Sequence, residues 1–327
     1  MTRRRLALVF PGQGSQRVGM GKDLLRDWPR IVNAVLEEAS EATGLSLRRR
    51  MTEGPANELT PTHVAQPALL ALSVAVLRVL QHELELPNVH LALGHSLGEY
   101  SALVAANAID FAAAARLVHT RGLAMQRAVA PGVGAMAALM PVQPPAIERL
   151  CREAVASTGK TCQVANYNSH TQTVISGDAE AVHAVVRRAK TTGLARRAVL
   201  LDVSAPFHCE LMAPAKRELR VHLAHLLRAN ALRPPEVPVV WNVEAAATIK
   251  TPEEVAQVLE TQVVQAVRWG ASVDYCVDKG VTHFLELGVG GVLSGLIRQQ
   301  TGKTSDLMIT SCGTSDEIKT FMSEQQH

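Results

Sequence analysis

Short runs of apolar residues alternate with longer amphipathic stretches along most of the chain. Residues 6–10, 90–94 and 282–287 are apolar runs that predict buried strands. Helical patterns with apolar residues on one face cover residues 66–84, 97–107, 112–128 and 292–300. The repetition of strand, turn and helix favours an α/β fold with a mostly parallel sheet and helices on both of its faces.

The pattern changes in the middle of the chain. Four segments predict strands, at residues 135–140, 163–165, 172–176 and 196–201, and two predict helices, at residues 144–157 and 178–192. The order βαββαβ, in about 70 residues, is that of the ferredoxin-like unit. We therefore expect a small domain at residues 132–201, inserted into a large domain made of residues 1–131 and 202–327. The cleft between the two domains is the expected ligand site.

Composition narrows the class of protein. Of the 327 residues, 47% are hydrophobic and 19% are charged, which predicts a folded chain with a sizeable core. Basic and acidic residues nearly balance, with a net charge of +3, so the charge does not indicate a nucleic-acid partner. No uninterrupted apolar run approaches the length of about 18 residues that a membrane span needs, so we expect no membrane partner. The few residues before the first predicted strand leave no room for a signal peptide.

The chain has five cysteines, at positions 151, 162, 209, 276 and 312. They are widely spaced, odd in number and form no CxxC pair, so we expect free thiols in a reducing compartment and no metal site. This favours a cytoplasmic protein. The alternative is a mitochondrial matrix protein whose transit peptide has been removed. We expect a monomer.

Residues 94–98 form a GxSxG motif, Gly-His-Ser-Leu-Gly. A predicted strand ends at Gly94 and a predicted helix begins after Ser96, which is the context of a nucleophile elbow. Such a turn exposes the serine hydroxyl at a helix N-terminus, where free N–H groups favour negative charge. Ser96 is therefore a candidate nucleophile, and the backbone N–H of Leu97 is a candidate oxyanion donor. The alternative is a serine that only caps the helix.

A serine nucleophile needs a base, and the chain offers twelve histidines. His95 is adjacent to Ser96 and should point elsewhere. His208 stands out because it lies where the chain returns from the small domain to the large one. In the N-terminal loop, glycines on both sides of Gln13 permit close approach of the backbone to a ligand. The backbone of Gln13 is thus a candidate second oxyanion donor, and the alternative is a plain tight turn.

In chain order, these and further motifs resemble the malonyl-CoA:acyl carrier protein transacylases and the related acyltransferase domains of fatty acid and polyketide synthases. The resemblance covers nearly the whole chain. The segments that carry it are residues 9–16, 66–68, 94–101, 121–122, 125–126, 166–169, 174–177, 267–269 and 293–296. It implies an α/β-hydrolase-like large domain with the inserted ferredoxin-like small domain. It also implies a reaction in which a malonyl group passes from malonyl-CoA to an acyl carrier protein.

The resemblance assigns a role to each matching residue of the reacting centre. Ser96 matches the nucleophile that carries the malonyl ester, and His208 matches its base. The backbone amides of Gln13 and Leu97 match the oxyanion hole. Gln262 matches a glutamine whose backbone carbonyl orients the histidine. The implied mechanism is a ping-pong reaction of a Ser-His dyad, with no cofactor.

Further residues match the binding site for the acyl group. Arg121 matches the arginine that grips the malonyl carboxylate, and Gln66 and Asn168 match residues that line the site. Phe207 and the branched Leu97 resemble residues of malonyl-selective relatives, and both would crowd a methyl branch. The carrier proteins of this family are acidic. We therefore expect a docking patch on basic residues of the small domain, namely Arg187, Arg188, Arg196 and Arg197.

Two other classes of protein remain open from the residues alone. A serine hydrolase of the α/β-hydrolase type would share the elbow, but it would need an acid between serine and histidine in chain order. Asp202 lies in that interval, only six residues before His208. A carrier-protein-binding module without catalysis is disfavoured because Ser96 and His208 are both present.

Overall fold

The computed structural model describes residues 5–84, 86, 89–302 and 306–325. Within these residues the strands are β1 (Leu6–Phe10), β2 (Val89–Gly94), β3 (Gly134–Met140), β4 (Cys162–Ser169), β5 (Gln172–Asp178), β6 (Arg197–Leu200), β7 (Val239–Val240), β8 (His283–Leu287) and β9 (Met308–Cys312). The helices are α1 (Lys22–Asp27), α2 (Pro29–Thr43), α3 (Leu47–Thr52), α4 (Ala56–Leu59), α5 (Thr62–Glu83), α6 (Gly98–Ala105), α7 (Phe111–Arg127), α8 (Pro144–Thr158), α9 (Ala179–Thr191), α10 (Ala213–Arg228), α11 (Pro252–Gln262), α12 (Trp269–Asp278), α13 (Val292–Thr301) and α14 (Ser315–Gln325).

The larger sheet has five strands in the order β7-β2-β1-β8-β9, and every neighbouring pair is parallel. Alternate side chains of β1 enter two different cores: Leu8 and Phe10 pack in one, Ala7 and Val9 in the other. Helices therefore cover both faces, as the sequence predicts. Because the strands are parallel, the segments that follow β1, β2 and β7 meet at one edge of the sheet, where ligands bind in open α/β folds.

The smaller sheet is antiparallel and has the strand order β4-β5-β3-β6. With α8 and α9 it forms the predicted βαββαβ unit, and its buried apolar residues form a core of their own. The α/β class, the parallel sheet and the ferredoxin-like unit are confirmed. The domain boundaries at 131/132 and 201/202 stay a prediction, with which the positions of β3 and β6 agree.

Two predicted elements differ from the structure. Strand β4 continues to Ser169, four residues beyond the end of the strand predicted at residues 163–165, through the sequence Asn-Tyr-Asn-Ser. Asparagine is rare in strands, but here Asn168 exchanges hydrogen bonds with side chains across the sheet and beyond it. Helix α5 begins at Thr62, four residues before the predicted start, and contains Pro67 in its second turn.

Helix α5 is the element of the described residues that is long and apolar enough to cross a membrane. Of its most apolar 18-residue window, 89% is buried inside the molecule. It packs against α2 and α7 beneath the larger sheet, so its apolar surface belongs to the core. The expectation of no membrane partner stays a prediction.

Candidate active site

Ser96 lies in the sharp turn between β2 and α6, with a φ of 51°. This left-handed conformation is strained for a serine, and such strain is common at functional turns. The two glycines of the motif are required by close backbone contacts. A Cβ on Gly98 would lie 2.0 Å from the carbonyl oxygen of Phe10, and one on Gly94 would lie 1.9 Å from the carbonyl carbon of Gly98. The motif is thus a tightly packed elbow that presents Ser96 at the N-terminus of α6.

The Ser96 hydroxyl lies 2.7 Å from Nε2 of His208. On the other side of the ring, Nδ1 lies 2.9 Å from the backbone oxygen of Gln262 and 3.1 Å from that of Gln265. Carbonyl oxygens only accept hydrogen bonds, so Nδ1 carries the proton and Nε2 is free to accept from the serine. Carbonyls therefore orient this histidine, and no bond joins it to Asp202, which lines the same cleft.

The environment of His208 keeps its ring neutral. Burial, followed by the positive charge of Arg121, lowers the pKa of His208 to about 3. A neutral imidazole is the form that can take a proton from a hydroxyl. Ser96 and His208 therefore have the geometry and the protonation state of a nucleophile and its base.

Arg121 reaches the nucleophile from helix α7 although only 2% of it is exposed. Its guanidinium donates to Oε1 of Gln66 at 2.9 Å, to Oε1 of Gln262 at 2.9 Å and to Ser96 Oγ at 3.2 Å. Burial lowers the pKa of Arg121, which nevertheless stays charged because guanidinium is so strong a base. Its direct partners are neutral, so its charge is available to an anionic group beside Ser96.

The backbone amides of Gln13 and Leu97 are free to serve the predicted oxyanion hole. Both residues line the cleft, and neither backbone N–H donates to a protein acceptor within the described part of the chain. The N–H of Ser96 itself is not available, since it donates to Oδ1 of Asn242 at 2.7 Å. Leu97 directly precedes α6, so its free N–H also lies at the positive end of a helix.

The cleft in front of Ser96 has a volume of about 460 Å³ and lies between the two sheets. Gln66, Arg121 and Phe207 line it, as the resemblance implied. Asn168 is not among the residues that line this cleft, and its role stays a prediction. Asn168 lies behind His95, whose Nε2 is 2.9 Å from its Oδ1, and its amide donates to Gln172. Asn166, two residues earlier on the bulged strand β4, lines the cleft instead.

Two residues of the site have no counterpart in the sequence prediction. Asn242 follows β7 and bonds both ends of the elbow, donating to the backbone oxygen of Gly94 at 2.7 Å and accepting from Ser96 N–H. Glu99, in the first turn of α6, is fully buried. In the sequence, the signal for Glu99 was an acid at the start of the helix predicted after GxSxG; Asn242 had no such signal.

The described residues contain no group of three or more histidine, cysteine or acidic side chains that could hold a metal ion. All five cysteines are free and buried. The site brings together a serine, a neutral histidine, an arginine and two backbone N–H groups without an acceptor among the described residues. This set suits acyl transfer to and from a serine.

Comparison with known proteins identifies the class. A family model described as an acyl transferase domain matches residues 7–315. The chain therefore belongs to the acyl transferase domain family and is an acyltransferase.

Individual relatives within this family are named for one particular acyl transfer. The malonyl CoA-acyl carrier protein transacylase of Escherichia coli K12 is 44% identical over 295 residues, which are 90% of this chain and 92% of the relative. That of Bacillus subtilis strain 168 is 39% identical and covers 99% of both chains. The solved transacylase from Coxiella burnetii has a TM-score of 0.92 at 37% identity, covering 99% of each chain. A complex of a type II polyketide synthase acyl carrier protein with its malonyl-transacylase matches with a TM-score of 0.91 at 39% identity, covering 98% of this chain and 99% of the other.

Proposed function

We propose that this enzyme transfers a malonyl group from malonyl-CoA to the phosphopantetheine thiol of an acyl carrier protein through a malonyl ester on Ser96. The observation that carries the proposal is the arrangement around one atom. Ser96 Oγ lies 2.7 Å from the neutral base His208 and 3.2 Å from a guanidinium nitrogen of Arg121. The nucleophile thus lies between a base and a carboxylate-binding cation. Malonyl transfer is also the activity named for the relatives that match nearly the whole chain.

In the first half-reaction, His208 takes the proton of Ser96 as the oxygen attacks the malonyl thioester carbonyl. The backbone amides of Gln13 and Leu97 stabilise the oxyanion, a contribution of about 3 kcal/mol for each donor. Coenzyme A leaves as the thiol with the proton returned by His208. In the second half-reaction the carrier thiol gives its proton to His208 and attacks the ester carbonyl. The acyl bond to Ser96 Oγ then breaks, and His208 returns the proton to that oxygen. Side chains and amides supply every step, so the proposal requires no cofactor.

The experiment that tests this proposal is steady-state kinetics with both substrates varied. A ping-pong reaction gives parallel lines in double-reciprocal plots, because the two substrates react in separate half-reactions. A serine hydrolase, the second candidate, would release free malonate without needing the carrier. Intersecting lines, or turnover that does not depend on the carrier protein, would contradict the proposal.

Phe207 and Leu97 flank the reacting pair and are proposed to limit the acyl group. Phe207 is 8% exposed and lines the cleft immediately before His208. Shortening it should make room for a methyl branch. We expect Phe207→Ala to raise kcat/KM for methylmalonyl-CoA, relative to malonyl-CoA, by about tenfold, since one methyl in a pocket discriminates by about 1–3 kcal/mol. An unchanged ratio, measured by competition between the two thioesters, would show that Phe207 does not limit the substrate.

The carrier-docking patch is proposed to lie on the small domain, at strand β6 and the end of α9. Four exposed arginines lie there, none in an ion pair with a described residue: Arg187, Arg188, Arg196 and Arg197. Strand β6 is an edge strand, and its Val199 and Leu200 are 44% and 49% exposed. The next four residues, 201–204, line the cleft. A partner bound here could therefore reach Ser96 with its prosthetic arm.

Reversing charge in this patch should weaken carrier binding. We expect Arg196→Glu/Arg197→Glu to raise the KM for the carrier protein by about tenfold at low salt, with a smaller effect at high salt because of screening. Formation of malonyl-enzyme from malonyl-CoA should not change. The matched control is Arg228→Glu, an exposed arginine at the end of α10 that lies outside the small sheet and the cleft lining. Equal effects of both variants would rule out the patch.

The proposals for cellular location and oligomeric state rest on the sequence. Five buried thiols support a reducing compartment, and we propose a cytoplasmic monomer, with the mitochondrial matrix as the alternative. Cell fractionation and light scattering test the two statements separately.

A further inference from the structure

Behind the reacting pair, the structure contains a buried acid that the proposed mechanism does not use. Glu99 is 0% exposed. Its Oε1 accepts from the backbone N–H of Asn242 at 2.9 Å, and its Oε2 accepts from Nε2 of Gln262. Both carboxyl oxygens thus act only as acceptors, which is the behaviour of an ionised carboxylate.

Gln262 connects this acid to the reacting groups. Its Nε2 also donates to the backbone oxygen of Ser96 at 2.9 Å, and its Oε1 accepts from Arg121 at 2.9 Å. A glutamine amide can be turned by 180° with little change of shape, so its partners decide which end is the oxygen. A carboxylate accepts and a guanidinium donates. The ionised Glu99 and the backbone oxygen of Ser96 both require the NH₂ end, so together with Arg121 they favour the one orientation that presents the oxygen to the guanidinium.

Asn242 connects the same acid to the elbow. Its backbone N–H bonds Glu99, and its side-chain oxygen accepts from Ser96 N–H at 2.7 Å. Asn242 therefore holds the strained turn at Ser96, and Gln262 holds Arg121. Glu99 bonds both Asn242 and Gln262. Asn242 is also held to the elbow by its own side-chain bonds to Gly94 and Ser96, so the turn keeps these contacts when the carboxylate of Glu99 is lost.

We propose that Glu99 is a positioning residue that, together with the backbone oxygen of Ser96, holds the amide of Gln262 and thereby aims Arg121 at the carboxylate of the acyl group. This inference rests on the proposed function, since it concerns the recognition of a malonyl group. It predicts that loss of the carboxylate harms malonyl-CoA selectively. Acetyl-CoA has no carboxylate for Arg121, so its reaction serves as the internal reference.

The same inference predicts a pH dependence. Burial raises the pKa of Glu99 to about 7, and the charge of Glu244 after β7 adds to the rise. The hydrogen bonds from Asn242 and Gln262 and the charge of Arg121 on α7 act in the opposite direction. As the pH falls through about 7, a proton turns one acceptor oxygen into a donor, which conflicts with Gln262 or with Asn242 N–H. The pKa of the buried His208, about 3, keeps that ring neutral in this range, and burial also lowers the pKa of His95.

The decisive variant is Glu99→Gln, compared with wild type on malonyl-CoA and acetyl-CoA by the rate of acyl-enzyme formation. We expect kcat/KM for malonyl-CoA to fall about 30-fold and that for acetyl-CoA to change less than about threefold, mainly through KM for malonyl-CoA. The matched control is Glu286→Gln, another buried acid, which accepts the N–H groups of Leu293 and Ser294 and does not touch the site. Equal losses on both thioesters, or no loss, would overturn the proposal.

A second measurement uses the wild type alone, so it can be made even if Glu99→Gln does not fold. In the wild type, the ratio of malonyl to acetyl kcat/KM should drop about tenfold between about pH 8 and pH 6, as the carboxylate is lost. A ratio that is constant over this range would overturn the proposal. Failure of the proposed function would look different, because the wild type would then form no malonyl ester at any pH.

Discussion

Replacing His208 with alanine is expected to lower the rate of malonyl transfer by about 10⁴-fold, the upper range for loss of a general base. The contacts of His208 explain why no other group is expected to take its place as the base. Its ring lies 2.7 Å from Ser96 Oγ, and two backbone oxygens hold the other nitrogen in the protonated form. Water could occupy the space that the ring leaves, but it would lack both the basicity and the orientation.

The measurement is the rate of both half-reactions, because His208 serves in each. Acylation by malonyl-CoA and discharge to the carrier protein should slow together in His208→Ala. The control is His222→Ala, an exposed histidine on α10, which should behave as wild type. If His208→Ala kept more than about a tenth of the wild-type rate, another group would have to be the base.

Arg121→Ala should lower kcat/KM for malonyl-CoA by about 10²–10³-fold and leave acetyl-CoA as the better substrate. A hydrogen bond to a charged partner contributes about 1.5–3 kcal/mol, so two such bonds to one carboxylate account for a loss of this size. In the wild type, an acetyl group leaves the buried guanidinium without an anionic partner. Truncation removes this penalty, so the preference should reverse.

Arg121→Lys separates charge from shape. A lysine keeps the positive charge but loses the planar pair of donors, and we expect an intermediate loss. The matched control is Arg127→Ala, an exposed residue on the same helix that pairs with Glu218. Thermal unfolding of all three variants checks that Gln66 and Gln262, left without their partner, do not destabilise the fold. A variant that folds and still prefers malonyl-CoA would show that the carboxylate is bound elsewhere.

The sequence contained enough to predict the fold class and to propose Ser96 and His208 as the reacting pair, for identifiable reasons. The elbow at Ser96 is local, since a strand, a glycine turn and a helix lie within a few residues. The ferredoxin-like unit is also continuous in the chain. His208 is separated from Ser96 by 112 residues, and position alone made it only a candidate. The motifs of the family, not the spacing, assigned its role.

The supporting contacts could not be read from the sequence, because they depend on which segments meet at the sheet edge. Asn242 reaches Ser96 across 146 residues because β7 lies next to β2. The side chain of Gln262 bonds Arg121 and Glu99, whereas the resemblance concerned only its backbone. The position of Asn168 depends on a contact of the same kind: its side chain bonds His95, and it lies outside the cleft lining.

The central claim, a malonyl ester on Ser96, is tested most directly by the intact mass of the protein after brief incubation with malonyl-CoA. We expect one malonyl adduct on the wild type, none on Ser96→Ala, and loss of the adduct when acyl carrier protein is added. An adduct that persists on Ser96→Ala, or free malonate formed without any adduct and without the carrier, would contradict the account.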